Sequence, residues 1–70
     1  MQRDYVSSSN IVSVGYDPGS ETLEVEFQNG GIYQYYNVNK GIYDELMNAP
    51  SKGKFLAYQI KNIFPYSRVG

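Results

Sequence analysis

Cysteine, histidine and tryptophan are all missing from this chain of 70 residues. Without cysteine there is neither a disulfide nor a thiolate metal ligand, so aliphatic and aromatic packing alone must hold the fold. Without histidine there is no Ser-His or Cys-His nucleophile pair, no imidazole base and no imidazole ligand. Any catalysis would fall to carboxylates, and the expected reading is a protein that is not an enzyme and carries no cofactor. No apolar run approaches the ~20 residues that a membrane span needs, and Met1 to Val6 has no apolar signal-peptide core. A soluble cytoplasmic domain without a membrane partner is therefore expected. At 70 residues it is one small domain, burying only about 60% of its unfolded surface.

Acidic residues are also missing from Ser51 onward, where Lys52, Lys54, Lys61 and Arg68 stand alone. The net charge of -1 hides this asymmetry. Residues 1 to 38 set Arg3 against Asp4, Asp17, Glu21, Glu24 and Glu26, while the remainder sets Lys40 and the four later cations against Asp44 and Glu45. Such a split is a cue for an anionic partner.

Hydrophobic alternation supplies the strands. Ile11 to Tyr16 reads as a strand with Val12, Val14 and Tyr16 on one side, ended by Asp17-Pro18-Gly19-Ser20. Pro18 suits the second position of a β-turn, and Gly19 can take the positive φ of a type II turn. In the next strand Leu23, Val25 and Phe27 face one way, and Thr22, Glu24 and Glu26 the other. Asn29-Gly30 is the preferred pair for a two-residue type I′ hairpin. That register pairs Phe27 with Ile32, Val25 with Gln34 and Leu23 with Tyr36, leaving Tyr33 opposite Glu26 and Tyr35 opposite Glu24 on the outside. Gly31 permits a second solution, a three-residue loop with a bulge that shifts the phase by one and sends Tyr33 and Tyr35 into the core. The hairpin preference favours the first.

Asn39 can cap a helix whose Ile42, Tyr43, Leu46 and Met47 form one stripe, stopping at Asn48-Ala49-Pro50. Ser51 can cap a second, with Leu56, Ile60, Ile63 and Phe64 at i, i+4, i+7 and i+8 and Pro65 at its end. The order predicts an α+β domain: a three-stranded antiparallel meander over residues 11–38, followed by two C-terminal helices packed on one face. Its expected core is Leu23, Val25, Phe27, Leu46, Ile60 and Ile63. Glu24 and Glu26 are expected on the solvated side, where Glu24→Gln would be nearly silent.

Ser51-Lys52-Gly53-Lys54-Phe55 invites comparison with a phosphate-binding loop, but the first glycine of that motif is missing and phenylalanine replaces the magnesium-binding hydroxyl. Two solvated lysines are the simpler reading. From Lys52 to Arg68, however, cations alternate with Phe55, Tyr58, Phe64 and Tyr66, a mixture suited to phosphate contact plus base stacking. In the favoured register Glu24 and Glu26 would stand beside Tyr33 and Tyr35 and repel a phosphate backbone.

The segments S-S-S-N-I-V-S-V-G-Y-D-P, L-E-V-E-F-Q-N-G, Y-Q-Y, S-K-G-K-F and F-P-Y-S-R-V together resemble the KTSC domain over nearly the whole chain. That family comprises short stand-alone bacterial and phage proteins, and the unit also ends some lysyl-tRNA synthetases. Its hallmark Y-x-Y falls here on Tyr33-Gln34-Tyr35. Two departures are Asn39, where proline often precedes the helix, and a more apolar Phe55 to Ile60 segment. The resemblance implies RNA binding, carried by Tyr33, Tyr35, Lys52, Lys54, Lys61 and Arg68. The structural alternative for the two tyrosines is cross-strand packing. The expected function is thus an RNA-binding accessory module, set against a protein-interaction or self-association module using an aromatic sheet face or an open strand edge.

Overall fold

A computed structural model describes residues 1–70. It is an α+β fold in which two helices cover one face of an antiparallel sheet. The sheet has five strands in sequential order: β1 (Asp4–Tyr5), β2 (Ile11–Asp17), β3 (Thr22–Phe27), β4 (Ile32–Tyr35) and β5 (Tyr66–Arg68). The predicted three-stranded meander is its centre. Both additional strands are too short to show hydrophobic alternation. β1 pairs Asp4 with Val14, and β5 returns after the helices to pair Tyr66 with Tyr35 and Arg68 with Tyr33. The edge of β4, which a three-stranded meander would leave open, is therefore occupied by β5.

Three turn-level expectations are corrected. In β2 the register shifts between Ile11 and Ser13, so Val12 is the extra residue of a bulge and Ile11 joins Val14 in the core. In the β2–β3 turn the left-handed residue is Glu21, at φ 53°, while Gly19 is not in that region. The Asp17 carboxylate shapes this turn, accepting the Gly19 N–H at 3.0 Å and the Ser20 hydroxyl at 2.8 Å.

The third correction decides the site. β3 and β4 pair Leu23 with Tyr35, Glu24 with Gln34, Val25 with Tyr33 and Glu26 with Ile32, the bulged register rather than the two-residue hairpin. Phe27 N–H donates to the Gly31 carbonyl at 2.9 Å and Gly30 N–H to the Phe27 carbonyl at 2.9 Å, closing a loop over residues 28–30. Gly30 alone of the Asn29-Gly30 pair is left-handed, at φ 95°, as a type I turn followed by a glycine bulge requires. A one-residue slip exchanges the faces of every side chain on β4. This slip turns Tyr33 and Tyr35 toward the core where the other register would turn Ile32, Gln34 and Tyr36, so it keeps the Gln34 amide out of the apolar core, where it would lack its partners Glu24 and Tyr36.

Helix α1 (Lys40–Asn48) is capped as expected, the Asn39 side chain accepting the Ile42 N–H at 3.0 Å. Helix α2 (Lys52–Phe55) is capped by Ser51 and widens into a π-helical turn over Leu56–Ile60, closed by the Lys61 N–H to the Leu56 carbonyl at 2.8 Å. The wider turn ends the helix at Ile60 and breaks the 3.6-residue phase. Ile63, expected in the core, is consequently 62% exposed, and Phe27 is only half-buried. The core comprises Ile11, Val14, Leu23, Val25, Tyr35, Val38, Leu46, Leu56 and Ile60. No helix is long and apolar enough to cross a membrane.

Candidate functional site

The bulged register turns Tyr33 and Tyr35 toward the helical side of the sheet, and β5 brings Tyr66 and Arg68 beside them. Phe27 meets Tyr33 edge-on with ring centroids 5.7 Å apart. Tyr66 lies 6.0 Å from Tyr33 and 5.9 Å from Tyr35, in tilted contacts. The Phe27–Tyr33 contact places a ring edge against a ring face, an arrangement aromatic quadrupoles favour. The Arg68 guanidinium stands 5.9 Å over the Tyr33 ring and its Nε donates to the Gly70 carbonyl at 2.8 Å.

These rings wall a pocket of about 210 Å³, completed by Asn29 from the hairpin and by Lys61 and Asn62 from the turn that follows the π-helical segment. Its members have unequal burial. Tyr35 is 2% exposed, Tyr66 is 58% exposed, and Tyr33 is intermediate. No hydrogen bond within the protein engages the Tyr35 hydroxyl, yet the group is not sealed away as a buried orphan. It opens to the pocket it lines. Burial pushes its pKa above the usual phenol value of 10.0, and the Tyr33 and Tyr66 phenols nearby push the same way. The hydroxyl is therefore protonated at neutral pH and available as a donor.

Of the six residues singled out from the sequence, the structure gathers Tyr33, Tyr35, Lys61 and Arg68 at this one place. Lys52 and Lys54 lie elsewhere, at the start of α2, about 10 Å or more along the helix axis from Lys61 at about 1.5 Å per residue. Lys52 Nζ donates to the Ala49 carbonyl at 3.5 Å, and Lys54 borders a separate shallow groove with Tyr58. The glycine between them has a packing reason: a Cβ on Gly53 would come within 2.3 Å of Asn10 Oδ1. The sequence reading missed Asn29 and Asn62 and left Tyr66 without a place. Tyr66 to Arg68 alternates as a strand should, but three residues carry too little pattern to be told from a tail.

The opposite face of the sheet is chemically different. Arg3 reaches over it to form ion pairs with Glu24 and, at 3.7 Å, with Glu26, and its Nε donates to Ser13 Oγ at 2.9 Å. Gln34 Nε2 donates to Glu24 Oε1 at 2.9 Å, the Tyr36 hydroxyl donates to Gln34 Oε1 at 3.2 Å, and Tyr36 bonds onward to Ser67. Hydrogen bonds thus link Arg3, Glu24, Gln34, Tyr36 and Ser67 across the sheet. Gly15 lets the N-terminal segment lie close, since a Cβ there would stand 2.6 Å from the Gln2 carbonyl oxygen. Glu24, expected at the solvated surface, is only 6% exposed beneath this cover. Burial alone would raise its pKa, but the hydrogen bonds from Gln34 and Arg3 and the Arg3 charge outweigh it and hold the carboxyl below its usual 4.5. No group of three or more His, Cys, Asp or Glu side chains is arranged to hold a metal ion.

Comparisons with known proteins agree with this architecture. The crystal structure of a KTSC domain protein from Yersinia pestis superposes with a TM-score of 0.95 at 43% sequence identity, covering 99% of this chain and 97% of that one. A protein from Tsukamurella paurometabola is 39% identical over 59 residues, 84% of this chain and 88% of its own length. Lysine–tRNA ligase from a Nostoc species is 41% identical over 61 residues, which are 87% of this chain and 11% of the ligase. Because the KTSC domain sequence model matches residues 7–64, nearly everything from the polar loop before β2 to the turn before β5, the chain belongs to the KTSC domain family.

Proposed function

We propose that this domain is a non-catalytic, cytoplasmic RNA-binding module that grips single-stranded RNA at the aromatic pocket. One observation carries the reading: cations and stacking rings share a site, with Lys61 and Arg68 beside Tyr33 and Tyr66, and no carboxylate lines the pocket. Base stacking on aromatic rings with phosphates held by neighbouring cations is the general mode of single-strand recognition. The objection raised by the sequence also falls away. Glu24 and Glu26 project from the other face of the sheet, bonded to Arg3, and do not stand beside the tyrosines. Similarity to a stretch of lysine–tRNA ligase lends support, as that enzyme's name places it with an RNA substrate.

Two cations mean few phosphate contacts, so binding is weak and its salt dependence shallow. For single strands log K falls by about 0.7 per phosphate neutralised for each unit of log salt, giving a slope near -1.4 for two. Titration of labelled single-stranded RNA at low and moderate salt tests this. Lys61→Glu should weaken binding several-fold, whereas Lys52→Glu and Lys54→Glu, remote from the pocket, should change it less. Binding that ignores both salt and Lys61→Glu would instead favour a protein-interaction role.

A further inference from the structure

Resting on the RNA reading above, we propose that Tyr66 is the ring on which an RNA base stacks, and that Tyr33 and Tyr35 of the Y-x-Y motif are the wall behind it. Exposure separates the three. Tyr35 is 2% exposed, its ring held in the core, while Tyr66 is 58% exposed. Tyr33 is intermediate and hemmed in. Phe27 meets it edge-on at 5.7 Å, the Arg68 guanidinium stands over it at 5.9 Å, and Gly31 lies so close that a Cβ there would come within 3.1 Å of the Tyr33 Cε1. Stacking needs a ring face that a second flat system can approach to van der Waals distance, about 3.5 Å. Tyr66 offers one. Its ring contacts, 6.0 Å to Tyr33 and 5.9 Å to Tyr35, are both with β4, and the side turned away from β4 is left to solvent.

Placement on β5 makes this ring a fixed platform among cations. β5 is an edge strand, so no further strand covers Tyr66 from outside. On the inner side its backbone is held, because Tyr66 pairs with Tyr35 and the Pro65 carbonyl just before it accepts the Tyr36 N–H at 2.8 Å. A ring already fixed in place gives up little conformational freedom when a base settles on it. Strand alternation puts Arg68 on the same face of β5 as Tyr66, and the exposed Lys61 lines the same pocket. Phosphates flanking a base on Tyr66 therefore meet a positive field that holds the strand without reading its sequence. Tyr58 is more exposed still, at 75%, but it borders the separate groove beside Lys54, away from Tyr33 and Tyr35.

The chain has no tryptophan, so Tyr66→Trp introduces a single indole whose fluorescence a stacked base quenches. Tyr58→Trp is its control. Oligouridine is titrated at low salt into both variants, and labelled oligouridine gives the affinities of wild type, Tyr66→Phe and Tyr66→Ala. Melting curves check that each variant is folded. Quenching should rise and saturate with binding in Tyr66→Trp and be absent in Tyr58→Trp. Tyr66→Phe, which keeps the ring, should bind within about 2-fold of wild type, whereas Tyr66→Ala should bind about 5-fold or more weakly, the worth of one stacked base, with the salt slope unchanged. Binding that leaves Tyr66→Trp unquenched, or that is as tight in folded Tyr66→Ala as in wild type, overturns the assignment and leaves RNA binding standing. Quenching in Tyr58→Trp alone overturns it too, and moves the RNA to the groove beside Lys54. Failure of wild type to bind overturns the RNA reading and the stacking residue with it.

Discussion

Gln34 and Tyr35 are neighbours on β4 and point to opposite faces of the sheet, and they differ in what their polar atoms are committed to. Gln34 is engaged at both ends of its amide, donating to Glu24 and accepting from Tyr36. The Tyr35 ring is more deeply buried, yet its hydroxyl, without a hydrogen bond in the protein, is not sealed in and opens to the pocket. A closed network on one face holds the strands together and engages the polar atoms of Gln34. The other face combines a packed hydrocarbon core with a polar opening at its end. The burial of a residue alone therefore does not say whether its polar atoms are engaged in this domain; their hydrogen bonds do.

The comparison breaks most severely at the core. Leu23, fully buried on the helical face and adjacent to Glu24 in sequence, should cost about 2–5 kcal/mol on substitution by alanine, enough to unfold much of so small a domain. Denaturant melts measure this. An effect below that of removing Arg3 would place the stabilising weight on the polar face instead.

Next is the network. Arg3→Ala leaves the Glu24 carboxylate nearly buried with only Gln34 to bond it, and should cost about 2 kcal/mol at neutral pH. The pH dependence carries the same information. Glu24 titrates lower in the folded chain than in the unfolded chain, so on acidification the unfolded chain takes up its proton first. Its contribution to stability is complete above the ordinary value of 4.5 and is lost as pH falls through the depressed value. Melting temperatures between neutral pH and pH 3 should therefore fall less steeply in Arg3→Ala than in wild type. Parallel profiles would remove Glu24 from the acid response.

The smallest effect is expected at Ile63. With its side chain mostly in solvent, Ile63→Ser should change stability by no more than about 0.5 kcal/mol. A loss comparable to Leu23→Ala would restore the unbroken amphipathic helix that the sequence periodicity predicts.

The strength of local pattern explains what could be read from the chain. β2 and β3, both helix caps and the core residues Leu23, Val25, Leu46 and Ile60 follow from alternation and capping chemistry, each expressed over several consecutive residues. β1 and β5 span two and three residues, below the length at which alternation carries information. The π-helical turn at Leu56–Ile60 could not be read because its wider winding overrides the periodicity used to find helices. Four of the six candidate site residues converge at the pocket. Lys52 and Lys54 were grouped with them by charge and proximity in sequence, and the length of the helix separates them.

By itself the sequence determined the α+β class, the absence of thiol and imidazole chemistry, the cation-rich C-terminal segment, and the tyrosines on β4. These are properties of composition and of short-range periodicity. Tertiary structure decided which face those tyrosines occupy, because Asn29-Gly30-Gly31 is compatible with two loops that differ by one residue. The choice between them rests on which side chains of β4 pack with Leu46, Leu56 and Ile60, distant in sequence, and which polar ones stay out of that core. The same choice took Tyr33 and Tyr35 off the face of Glu24 and Glu26, which Arg3 covers, and β5 then closed the edge of β4 with Tyr66 and Arg68. A site assembled by pairing distant strands has no local signature, since its members become neighbours only when the backbone between them has folded.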